Sequence, residues 1–85
     1  MFLARVYVTL KPSVNDPQGL TIHGGLKMLG FNSVQQVRMG KFLEIQLEEP
    51  NREAAEARVD QMCRKLLANP VIEDYRFDLE ALESP

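Results

Sequence analysis

From Phe2 onward the chain alternates. Phe2, Ala4, Val6, Val8 and Leu10 fall on one side of an extended backbone; Leu3, Arg5, Tyr7, Thr9 and Lys11 fall on the other. A period of two with β-branched residues predicts a half-buried strand over residues 2–11, ended by Pro12. The period then changes. Asp16 can accept backbone N–H bonds as an N-cap, and Pro17 suits the first helical position. Ile22, Leu26 and Leu29 form one helical stripe with Leu20 at its edge, and Gly30 fits the left-handed position after a helix. Gly19, Gly24 and Gly25 each weaken this helix by about 1 kcal/mol relative to alanine.

Residues 33–39 predict a second strand. Val34 and Val37 break the alternation, which suggests a bulge near Gln35-Gln36. Gly40-Lys41 then reads as a tight hairpin turn leading into a third strand over 42–48. There Leu43, Ile45 and Leu47 face in, and Phe42, Glu44, Gln46 and Glu48 face out. Asn51 caps a second helix whose apolar stripe is Ala55, Val59, Met62 and Leu66. Arg52–Glu56 and Asp60–Arg64 are charge pairs at i,i+4 on its solvated side. Asn69 suits the helix C-cap, and Pro70 cannot continue the helix because it lacks an N–H. A fourth strand starts at once over 71–79, with Val71, Tyr75, Phe77 and Leu79 on the core side. Residues 1–80 make one domain, and 81–85 a loose tail.

The order β-α-β-β-α-β predicts a single two-layer α+β domain: an antiparallel sheet with both helices on one face. A ferredoxin-like strand order, 4-1-3-2, follows by analogy, and strand exchange between protomers fits the same pattern. The two halves echo each other at an offset of 38, where Pro12 matches Pro50, Val34 matches Ile72 and Arg38 matches Arg76. No third layer is left to cover the second sheet face. Leu3, Tyr7, Thr9, Phe42 and Ile72 would lie there with Arg5, Glu44 and Arg76, and such a patch marks an interaction surface. Scattered surface apolar residues are the bland alternative.

Composition narrows the function. A chain of 85 residues buries only roughly 60–65% of its unfolded surface, so a monomer is marginal. Cys63 is the only cysteine, so no internal disulfide adds stability, and self-association becomes the expected route to further burial. The net charge is −2 with the signs interspersed, which disfavours nucleic acid as a partner. No apolar run is long enough to cross a membrane, and Met1–Arg5 runs straight into a strand without a basic leader, so the expected compartment is the cytoplasm.

No catalytic constellation emerges. His23 lacks companions for a zinc site, and Cys63 could act as a nucleophile only if His23 approached it in space. Glu48-Glu49 and Glu73-Asp74 point to opposite faces of a strand; Asp78 and Glu80 share a face near a chain end and read as solubilising charges. The glycines of 19–25 lie inside a helix pattern rather than ahead of one, so they do not form a phosphate loop.

Four stretches then carry a resemblance. They are Val6–Lys11 with Asp16-Pro17-Gln18-Gly19; Leu29-Gly30-Phe31 with Val37; Met39-Gly40-Lys41-Phe42; and Cys63 through Tyr75, above all Leu66-Leu67-Ala68-Asn69-Pro70-Val71-Ile72-Glu73-Asp74-Tyr75. In this order and spacing the chain resembles the PurS family, the small subunits of the three-part phosphoribosylformylglycinamidine synthase. Asp16, Pro17, Gly19, Gly30, Gly40, Lys41, Asn69 and Pro70 are the structural positions of that match; the Gly24-Gly25 pair departs from it. The resemblance implies a subunit without an active site that binds no cofactor. It implies partners too: a second copy, a glutaminase subunit that releases ammonia, and a large synthetase subunit that holds ATP and Mg2+. The small subunit would bridge them and assist ammonia transfer. Two readings compete: a stand-alone ferredoxin-like regulator binding a small molecule at a dimer interface, and a small enzyme using His23 and Cys63.

Overall fold

The computed structural model describes residues 1–83. Its elements are β1 (Phe2–Leu10), α1 (Pro17–Met28), β2 (Gly40–Leu47), α2 (Arg52–Met62) continued by a π-helical turn (Cys63–Leu67), and β3 (Glu73–Ala81). The sheet runs β2-β1-β3, with β1 antiparallel to both neighbours. Their relative order is that of the ferredoxin-like arrangement. β1 is central because its inward side chains are small or β-branched and can be covered completely: Ala4 and Val6 are fully buried and Val8 nearly so. Leu43, Ile45 and Leu47 of β2 and Tyr75, Phe77 and Leu79 of β3 flank them, and Val59 of α2 and Cys63 of the π-helical turn close the core from above.

The structure has three strands where four are expected. Residues 34–39 pair with no strand. Two of their backbone groups are engaged elsewhere: the Met39 N–H donates to Asp16 Oδ2 at 2.7 Å, and His23 Nε2 lies 3.0 Å from the Val34 carbonyl oxygen. Gly40-Lys41 is not a hairpin turn. Gly40 opens β2 opposite Thr9, and its φ is not positive. Its glycine serves close approach, because a Cβ there would collide with the Val8 carbonyl oxygen and crowd Thr9 Cγ2.

The two helices also behave differently. α2 packs on the sheet, whereas α1 buries only Gly19 and leaves Leu20, Ile22, Met28 and the following Leu29 exposed. The expected layer of two helices on one face is therefore half built from this chain. The molecule measures 50 × 31 × 15 Å, with a radius of gyration of 16.6 Å against about 12 Å for a compact chain of this length. What anchors α1 is a clasp at its first turn. Asp16, 4% exposed, caps the helix through Gly19 N–H at 3.0 Å and holds Met39 N–H with its other oxygen. Arg38 lies 4.0 Å from Asp16 and donates through Nη2 to the carbonyl oxygens of Lys11 and Val14 at 2.9 and 3.1 Å. The far end of α1 closes at Gly30, whose φ of +93° matches the left-handed stop expected there.

The joint after α2 departs from a simple C-cap. Ala68 N–H donates to the Cys63 carbonyl oxygen at 2.9 Å, one residue beyond the α-helical partner. The wider turn shifts the register. Leu67 packs on the core, and Leu66, expected on the apolar stripe, is 83% exposed. Asn69 is not left-handed; it builds the turn instead. Its Oδ1 accepts from Val71 N–H, its carbonyl oxygen accepts from Ile72 and Glu73, and its own N–H donates to Glu73 Oε1. Pro70, Val71 and Ile72 are spent in that turn, so β3 begins at Glu73 and Val71 is exposed rather than in the core. β3 continues to Ala81, opposite Phe2, and Leu82 N–H donates to the Met1 carbonyl oxygen. Residues 84 and 85 of the expected tail lie outside the described residues.

Two outcomes follow for stability. Gly24 has open space where a Cβ would stand, so Gly24→Ala is expected to raise stability by about 1 kcal/mol, whereas Gly40→Ala should lower it by about 1–3 kcal/mol; thermal melts of both variants measure this. The backbone bonds from Met39 and then Gly19, aided by Arg38, hold the Asp16 carboxyl below its ordinary value of 3.8. A depressed carboxyl pKa stabilises the fold above the unfolded-state value, and that contribution is lost as pH falls through the folded-state value. Denaturation profiles of Asp16→Asn should therefore converge on those of the parent protein below about pH 4, and an unchanged gap down to strongly acid pH would refute the clasp.

Candidate docking surface

The uncovered face of the sheet collects its side chains by strand alternation. Leu3, Arg5, Tyr7 and Thr9 come from β1. Tyr7 stands opposite Phe42 on one side and Arg76 on the other, and Arg5 stands opposite Glu44 and Asp78. Seven of the eight expected interface residues (Leu3, Arg5, Tyr7, Thr9, Phe42, Glu44 and Arg76) thus share one face. Ile72 does not, because the Asn69 turn holds it ahead of β3; its carbonyl oxygen accepts from Lys11 N–H at 2.8 Å.

Two halves of this face differ in chemistry. At one end Arg5 donates to Glu80 at 2.8 Å and lies 3.5 Å from Asp78. Those two carboxylates, read from the sequence as solubilising charges, are ion-pair partners of Arg5. The Glu80 bond holds the Arg5 proton still more firmly than usual. At the other end the Tyr7 and Phe42 rings are 5.1 Å apart at 33°, and the Arg76 guanidinium lies over the Tyr7 ring at 4.1 Å. Stacked and cation–π geometries of this kind are worth about 0.5–1.5 kcal/mol beyond burial. The cluster borders an open cavity of about 340 Å³ that Thr9, Lys41 and Asp74 also line. Lys11 neutralises Asp74 at 3.2 Å.

The candidate nucleophile is not poised. Cys63 is fully buried, and burial, then Asp60, pushes its thiol above the ordinary value. A protonated thiol is a poor nucleophile. Nearby, Tyr75 donates its hydroxyl to Asp60, which raises the Tyr75 pKa, and Arg64 pairs with Asp60 at 2.9 Å. That i,i+4 pair matches the sequence pattern. Arg52 does not pair with Glu56; it donates to the Leu79 carbonyl oxygen and lies 5.9 Å over the Phe2 ring, tying α2 to the sheet. Among the described residues, no three His, Cys, Asp or Glu side chains converge as metal ligands. Arg38 is the structurally important side chain that pattern reading missed. Its only sequence signal is the offset of 38 that matches it with Arg76.

Known proteins with the same sequence and shape locate the chain among its relatives. A family model, described as PurS: Phosphoribosylformylglycinamidine (FGAM) synthase, matches residues 3–81. The phosphoribosylformylglycinamidine synthase subunit PurS of Synechocystis is 52% identical over 79 residues, 93% of this chain and 79% of the relative. The crystal structure of PurS from Methanocaldococcus jannaschii, one of the subunits of formylglycinamide ribonucleotide amidotransferase in the purine biosynthetic pathway, superposes with a TM-score of 0.86. That match is 44% identical and covers 98% of this chain and all of the other. A chain in the structure of PurLQS from Thermotoga maritima matches with a TM-score of 0.84 and 31% identity, over 94% of this chain and 99% of that one. Sequence and shape agree over nearly the whole length, and the chain belongs to the PurS family of phosphoribosylformylglycinamidine synthase subunits.

Proposed function

We propose that this chain is the small, non-catalytic subunit of a phosphoribosylformylglycinamidine synthase complex in purine biosynthesis, and that it works as a scaffold. The observation that carries this reading is the full-length match to a chain of the PurLQS assembly. The surface fits the role: a face with a preformed aromatic–guanidinium cluster and no convergent reactive groups binds protein better than it performs chemistry. The glutaminase releases ammonia, the synthetase uses ATP and Mg2+ to activate the amide oxygen of formylglycinamide ribonucleotide, and ammonia displaces that oxygen to give the amidine. Bridging the two enzymes shortens the path of the ammonia. ATP and Mg2+ belong to the synthetase in this scheme.

Self-association belongs to the same reading. The exposed Leu20, Ile22 and Met28 of α1, with Leu29 and Phe31 beyond it, make an apolar arm that a second copy would bury, and the unpaired 34–39 segment beside α1 suits exchange of backbone bonds with that copy. The cytoplasm is the compartment this role requires. No helix among the described residues is long and apolar enough to cross a membrane. A stand-alone ligand-binding regulator is disfavoured by the end-to-end match to synthase subunits.

In reconstitution, adding the chain to the glutaminase and synthetase subunits should raise glutamine-dependent amidine formation, and no rise would sink the proposal. His23→Ala together with Cys63→Ala should retain that stimulation at temperatures where the variant is folded. Tyr7→Asp or Phe42→Asp should weaken assembly roughly tenfold or more, as loss of a buried aromatic anchor does, with helical content unchanged by circular dichroism. Sedimentation of the unmodified chain should give at least twice the mass of one chain; a monomer would count against the role assigned to α1.

A further inference from the structure

We propose that the Tyr7–Phe42–Arg76 cluster receives a carboxylate-bearing segment of a partner enzyme subunit, with Arg76 as its anchor. This deepens the docking reading above and rests on it. Among the described residues Arg5, Lys11, Arg38, Arg58 and Arg64 each pair with a carboxylate. Lys27, Lys41, Arg52, Lys65 and Arg76 are in no such pair among the described residues, and of these only Arg76 and Lys41 stand at the cavity beside the cluster.

The geometry favours a planar acceptor. The Arg76 guanidinium lies 4.1 Å over the Tyr7 ring, and its N–H donors make no side-chain hydrogen bond among the described residues. A fork of donors in one plane matches the two oxygens of a carboxylate. Contact with the Tyr7 ring also restrains the side chain, so less rotamer freedom is lost on binding. Phe42, 52% exposed, offers apolar area directly beside that charge, and an Asp or Glu side chain within a protein segment uses both.

Two other occupants fit less well. A phosphate would leave the exposed apolar area of Phe42 unused. A second copy presents acidic groups on its own outer face, but Asp78 and Glu80 are already engaged by Arg5 and Asp74 by Lys11, which leaves Glu44 of β2.

The test titrates the folded chain into the two enzyme subunits. It reads the half-saturating concentration separately from the maximal rate of glutamine-dependent amidine formation, at low and moderate salt. Arg76→Gln is expected to raise the half-saturating concentration roughly thirtyfold, the lower end of the range seen when one partner of an interfacial charge pair is lost, and to leave the maximal rate intact. Its salt dependence should be shallower than that of the parent protein, because one screened attraction is gone. Arg76→Lys should recover part of the affinity, since the charge remains and the planar fork does not. If Tyr7→Asp weakens assembly while Arg76→Gln matches the parent protein, docking stands and the carboxylate partner is overturned. If neither changes assembly, the docking reading itself fails. If Arg76→Gln lowers the mass of the chain sedimented without its partners, the occupant is a second copy and the proposal is likewise overturned.

Discussion

A three-stranded sheet has two faces, and this chain supplies one helix to cover them. That shortage governs the rest of the structure. α2 is committed to the inner face, where Ala4, Val6, Val8, Ala55, Val59 and Cys63 are essentially closed to water. No element among the described residues remains for the outer face, and α1 stands on its own clasp with its apolar residues in solvent. A small chain that leaves this much apolar surface open depends on other chains for burial. Incompleteness of the fold and membership of an assembly are therefore one fact seen at two scales.

The local devices show how such an open structure keeps its shape. Asp16 links the start of α1 to the start of β2, and Arg38 ties that junction to the end of β1 and the loop beyond it. Asn69 does the same for the α2–β3 joint with bonds at three of its polar groups. Each acts through backbone hydrogen bonds, which orient elements without needing a thick core. A bridging subunit needs its surfaces held at set angles, and it meets that need here through caps and turns.

Legibility in the sequence followed the physics. β1, β2 and the core half of β3 were plain because alternation is a local signal that burial enforces. The outer-face residues were plain for the same reason: side chains two apart on a strand share a face. The 34–39 segment misled because Val34 and Val37 look β-forming, while its backbone partners are Asp16 and His23, far away in sequence. Gly40 misled because glycine serves both turns and close approach, and only the neighbouring Val8 carbonyl distinguishes them. Leu66 was misplaced by one extra residue in a helical turn, which periodicity does not register. Ile72 was lost from the surface set because three residues went into the Asn69 turn.

The outer sheet face carries the proposed docking surface, and side-chain footprinting tests that face directly. Hydroxyl-radical modification of Tyr7 and Phe42 would be compared between the isolated chain and the complete assembly with its glutaminase and synthetase. Strong protection of both rings in the assembly, with Leu66 at the α2–β3 joint as an internal reference, is the expected result. Equal modification rates for Tyr7 and Phe42 in the two states would contradict the assignment of the outer sheet face as the docking surface.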